Sequence, residues 1–176
     1  MSSDRDDDPT TIRVDQFLAH PPAKVWRALT EPELIARWLM PGAFRLEVGH
    51  RCTMRTLPRP GTDFSGTVEA EVLAFERERM LRIRWVDRQS AGENARAAGQ
   101  NAGQNAGQNA GQNAADWTIT WTLEPEGRGT RLFLVHEGFD PDDPAQMRAR
   151  KIMGGGWRGR VMVALEEVLG ESGPGL

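Results

Sequence analysis

The chain has 176 residues, 39% of them hydrophobic, which is enough for one domain with a substantial core. Its 25 acidic and 22 basic residues give a net charge of −3, which argues against a general polyanion-binding role and against nucleic acid as a partner. The single cysteine, Cys52, excludes an intrachain disulfide, the acidic start lacks the apolar core of a signal peptide, and no run is apolar enough to span a bilayer; the expectation is a soluble cytoplasmic protein away from membranes.

Residues 1 to 10 read as a disordered acidic tail. Thr11 to Leu18 alternates Ile12, Val14 and Gln16 against Arg13, Asp15 and Phe17, the period of a strand. Two short helices follow in series. Val25, Trp26 and Leu29 make one apolar stripe, and Leu34, Ile35 and Trp38 make a second at the same spacing. Pro21 and Pro22 open the first helix; Thr30 and Glu33 suggest a capping box for the second. Helices this short need a larger host.

Further strands are expected over residues 44 to 48 and 51 to 57, then as a hairpin from Gly66 to Trp85 with Arg82 and Arg84 on its polar face. Residues 90 to 115 break the pattern. There Ala-Gly-Gln-Asn repeats four times, from Ala98 to Asn113, with no large apolar residue, which reads as an expanded hairpin loop. Trp117, Ile119, Trp121 and Leu123 resume the alternation, and residues 130 to 137 complete it with Leu132, Leu134 and His136 on one face. Asp143-Pro144 starts a long helix carrying Met153, Trp157, Val161, Leu165 and Val168; Gly154, Gly155 and Gly156 interrupt it, as a kink, and Gly170 stops it. Residues 171 to 176 are left as a flexible C-terminus. The order indicates an α+β domain over 11 to 170: an antiparallel sheet of about six to seven strands covered by the last helix, with a candidate ligand space between them.

Several stretches carry a family likeness. Pro22-Ala23-Lys24-Val25-Trp26-Arg27-Ala28-Leu29-Thr30, Trp38-Leu39, Val48-Gly49, Gly66-Thr67-Val68, Gly129-Thr130-Arg131-Leu132 and Gly156-Trp157 stand in an order that resembles the AHSA-like family, homologues of the activator of heat-shock-protein ATPase, in the START-like (SRPBCC) superfamily. The resemblance implies a helix-grip fold, a curved sheet wrapped on a long C-terminal helix with a cavity between them. It also implies either binding of apolar or amphipathic small molecules or a co-chaperone, stress-related role. Two departures stand out: His50 where the family usually has a second glycine, and the insert at 90 to 115.

No sequence motif announces catalysis. His20, His50 and His136 have no metal-ligand spacing, Cys52 has no evident base, and nucleotide-binding and hydrolase signatures are missing from the sequence. No metal and no cofactor are expected. His136, on the face of Leu132 and Leu134, could orient a polar ligand group or serve as an acid or base in a cyclase or hydrolase; the plainer alternative is a ring bonded to a neighbouring strand. Arg55 could pair a carboxylate if it faces inward; an outward surface arginine is the plainer alternative. The basic run Arg148, Arg150, Lys151, Arg158 and Arg160 reads as a solvated helix face. The residues expected around a ligand are Trp38, Leu39, Arg55, Trp85, Trp121, His136, Met153, Trp157 and Val161. The favoured role is non-catalytic binding of a small hydrophobic or amphipathic molecule. A chaperone partner is the alternative, and a homodimer is left open.

Overall fold

The computed structural model describes residues 8–57, 66–87 and 115–171. The chain forms β1 (Thr11–Leu18), α1 (Pro22–Thr30), α2 (Pro32–Trp38), β2 (Arg51–Arg55), β3 (Thr67–Glu76), β4 (Met80–Asp87), β5 (Ala115–Glu126) and β6 (Gly129–Glu137). It ends in α3 (Pro144–Gly156), a π-helical turn (Trp157–Val161) and α4 (Met162–Glu171). The strands make one antiparallel sheet in the order β1-β6-β5-β4-β3-β2.

Strand alternation puts one residue in two on an inner face. Three rows cross that face. Cys52, Ala70, Trp85 and Trp117 form the first; Val72, Ile83, Ile119, His136 and Ile12 the second; Leu81, Trp121, Leu134 and Val14 the third. All are buried. A bulge between Val72 and Ala74 interrupts the β3–β4 register; such a bulge bends a strand and adds twist. The inner face is covered by α1, α2 and α4, which contribute Val25, Trp26, Leu29, Ile35, Trp38, Leu165, Val168 and Leu169 to the same core.

Three local expectations are corrected. Residues 44 to 48 form no strand; the isolated bridge nearby pairs Gly42, just before that stretch, with Met54. Thr30 does not cap α2: it ends α1, and its hydroxyl donates back to the Trp26 carbonyl at 2.8 Å, while Glu31 takes the cap position without a side-chain bond. The triple glycine does not interrupt the last helix. It lies within α3, and the irregularity is the π-helical turn that follows. The start of α3 follows its cap residue, with the Asp143 carboxylate accepting from the Ala145 N–H at 2.9 Å. The repeat insert lies largely outside the described residues.

The basic helix face has a structural use. β1 is an edge strand, and its outward carbonyls would otherwise be open to pairing. Arg150 Nε and Nη2 donate to the Thr11 carbonyl at 3.1 and 2.9 Å, and Arg158 Nη2 donates to that of Arg13 at 3.2 Å. The last helix is thus pinned along the edge it borders.

The turn before β6 is tightly packed against β1. A Cβ on Gly129 would lie 2.4 Å from the Leu18 carbonyl oxygen and 2.6 Å from the Phe17 ring. Gly129→Ala should therefore cost about 1–3 kcal/mol in urea unfolding. A loss below about 0.5 kcal/mol, the range of a neutral surface change, would contradict this close approach.

Candidate functional site

The inner face carries a continuous chain of aromatic rings. Trp38, the last residue of α2, meets Trp121 of β5 edge-on, with centroids 6.4 Å apart at 89°. Trp121 meets Trp157 at 6.1 Å and 77°, and Trp157 meets His136 of β6 at 6.2 Å and 80°. His136 in turn touches Trp117 at 5.2 Å and Phe139 at 4.8 Å. Edge-to-face contact is the favourable geometry for such rings, so their positions constrain one another.

Polar atoms along this chain are treated unequally. The Trp38 indole N–H donates to the Ala28 carbonyl at 2.7 Å, which also ties α2 to α1. The Trp117 N–H donates to the Gln146 side-chain oxygen at 3.3 Å. The Trp157 N–H donates to His136 Nδ1 at 3.1 Å. Among the described residues, three buried side-chain atoms have no hydrogen-bond partner: Trp85 Nε1, Trp121 Nε1 and His136 Nε2. Native interiors rarely leave such groups unmade, at a cost of about 1–3 kcal/mol each.

The His136 bond determines its tautomer. An indole N–H only donates, so Nδ1 must present its lone pair, and the proton of the neutral ring resides on Nε2. The ring is fully buried, and burial lowers its pKa to about 3. His136 is therefore a neutral N–H donor at ordinary pH. Trp85, Trp121 and His136 together offer three donors, one in each of the three rows, with Trp121 and His136 both packed on Trp157.

The other expected site residues divide. Leu39, Met153 and Val161 are half-buried against the core. Arg55 is exposed, which removes it from the candidate ligand set in favour of the outward alternative: β2 turns Cys52 and Met54 inward, so alternation sends Arg55 outward. It joins no inner group. Met162, the first residue of α4, is the buried one in place of Val161. A π-helical turn is wider than an α-helical one, so a residue five positions after Trp157 shares its face, where a regular helix would bring the fourth. Phe139 was also missing from the expected set. Gly138, at φ +106°, takes a backbone conformation that side chains disfavour and leads Phe139 over His136 and Trp117.

Among the described residues, no three His, Cys, Asp or Glu side chains are grouped so as to hold a metal ion, and no helix is long and apolar enough to cross a membrane.

A curved antiparallel sheet gripping a C-terminal helix, with two short helices after the first strand, is the helix-grip architecture of START-like (SRPBCC) proteins. The chain belongs to the family described as Activator of Hsp90 ATPase homolog 1-like protein, whose model matches residues 19–170. It is similar to protein MLL2253 from Mesorhizobium loti, with 31% identity, 92% of this chain and 98% of that chain covered, and a TM-score of 0.68. Protein CV1439 from Chromobacterium violaceum shares the fold at 23% identity, coverage of 92% and 98%, and a TM-score of 0.62. So does protein BH1534 from Bacillus halodurans, at 21% identity, coverage of 90% and 96%, and a TM-score of 0.62. A comparison with curated proteins gives no match.

Proposed function

We propose that this protein binds a small hydrophobic or amphipathic molecule between the inner face of the sheet and the C-terminal helix. The observation that carries the reading is the set of buried, unpartnered donors on Trp85, Trp121 and His136 within an otherwise apolar aromatic wall. Apolar walls with a few placed polar groups are what small-molecule sites use to combine affinity with orientation. The π-helical turn at Trp157 supports the same location, since such turns recur at functional sites.

His136 is poorly suited to acid–base work. Its Nδ1 lone pair is occupied by Trp157, its Nε2 already holds a proton, and burial disfavours taking up another. This supports binding over a cyclase or hydrolase role. The co-chaperone alternative rests on the family description alone; unchanged turnover of the chaperone ATPase on adding this protein would reject it. A cytoplasmic setting belongs to the proposal and is supported by Cys52, a free buried thiol.

A panel of small apolar compounds followed by tryptophan fluorescence and thermal denaturation tests the binding reading. A ligand at a hundredfold its Kd should raise Tm by roughly 5–10 °C and perturb the emission of the buried indoles. A panel that shifts neither signal would defeat it.

A further inference from the structure

Building on the binding reading above, we propose that the ligand is uncharged and presents hydrogen-bond acceptors without donors: a ketone, ester or comparable carbonyl compound whose oxygen is taken by the N–H of His136 or Trp121. The argument is an inventory of what the interior can offer. Indole nitrogen donates and never accepts, so Trp85 and Trp121 can satisfy only an acceptor. His136 would be ambiguous in isolation, because a neutral imidazole presents either kind of atom. Its bond from Trp157 removes the ambiguity and leaves Nε2 as a third donor. Among the described residues, the unpartnered buried side-chain polar atoms are these three nitrogens, so no unpartnered side-chain acceptor awaits a hydroxyl or amine hydrogen of the ligand.

Charge is decided the same way. Among the described residues, the buried polar and charged ones are Thr11, Asp87, Thr130 and His136, and none is a cation at neutral pH. Arg55, the arginine that could pair a carboxylate if it faced inward, is exposed. A carboxylate placed here would lose its hydration without gaining a countercharge, the most unfavourable exchange an interior can make. A neutral carbonyl oxygen exchanges its water hydrogen bonds for ones from the indole or imidazole N–H and lets its apolar body pack on the Trp38, Trp121 and Trp157 rings. Trp157 thus acts as a positioning residue: it selects the tautomer that makes His136 a donor and packs against both His136 and Trp121.

Four probes of one shape separate these cases: 1-indanone, 1-indanol, indane and indane-1-carboxylate, each titrated calorimetrically into the full chain at pH 7. The ketone should bind about tenfold or more tightly than indane or the alcohol, the yield of one buried hydrogen bond, and the carboxylate should bind weakest. Trp121→Phe keeps a ring and deletes an N–H; His136→Phe does the same at the other candidate donor. At least one of these variants should cut ketone affinity severalfold while leaving that for indane unchanged. Equal affinities for ketone, alcohol and hydrocarbon would mean that water satisfies these donors; that result overturns the acceptor inference and leaves the binding reading standing. Preference for the alcohol or the carboxylate overturns it as well. No binding by any of the four overturns both.

Discussion

Trp157→Ala should lower stability by about 3–5 kcal/mol, the range for removing a large buried aromatic side chain. Trp157 is only 2% exposed and packs edge-on against Trp121 and His136. Its loss opens a void at the centre of the ring chain, and it also strips His136 Nδ1 of its donor, leaving a buried acceptor unmade. The expected loss is a large fraction of the 5–15 kcal/mol that typically holds a protein folded, so the variant should be marginal at 37 °C. Trp157→Phe separates the two contributions. It keeps much of the ring volume and deletes the N–H, so the loss should shrink to about 1–2 kcal/mol. Urea unfolding of the three proteins at pH 7 reads both numbers. A loss under about 1 kcal/mol for the alanine variant would contradict the central place given to Trp157.

The second large effect is acid sensitivity. Burial holds the folded His136 pKa at about 3, whereas an unfolded imidazole titrates near 6.5. Between those values the unfolded chain binds a proton that the folded chain refuses. Stability associated with His136 is therefore fully present above pH 6.5 and declines as pH falls towards 3, with a limiting slope of about 1.4 kcal/mol per pH unit. His20 contributes in the same direction, its pKa lowered first by partial burial and then by Lys24. Carboxylates titrate mainly below pH 5, so the interval from 6.5 to 5 isolates the histidines. In His136→Phe the slope should flatten there by up to about 1.4 kcal/mol per unit relative to the unaltered chain, while His20 contributes equally to both. Chemical unfolding at half-unit steps makes the comparison. Identical slopes would mean that the folded ring is protonated or reached by water.

What could be read from the sequence followed from periodicity over long stretches. β5 alternates Trp117, Ile119, Trp121 and Leu123 without a break, and β6 carries Leu132, Leu134 and His136 on one face; both show the burial that the pattern implies. The apolar faces of α1 and α2 were legible for the same reason, since their i and i+4 residues meet the core. Failures occurred where a local signal competed with a contact distant in sequence. Residues 44 to 48 alternate, yet form no strand, and the isolated bridge nearby belongs to Gly42. The Thr30 hydroxyl had two options, the next helix or its own preceding turn, and took the nearer carbonyl. The π-helical turn shifts the buried face from Val161 to Met162, which a search at 3.6 residues per turn cannot register. His136 illustrates both sides. Its inward direction was visible in the strand pattern, but its tautomer depends on Trp157, 21 residues further along the chain.

The most direct measurement of the central claim is the set of indole and imidazole N–H resonances in a nitrogen-15 spectrum, recorded with and without saturating 1-indanone. The account predicts that Trp121 Nε1–H or His136 Nε2–H, or both, move to the shifts of a newly made hydrogen bond, while the Trp38 and Trp117 signals, already bonded to Ala28 and Gln146, change least. Saturable binding that leaves the His136 and Trp121 signals where they were would contradict it.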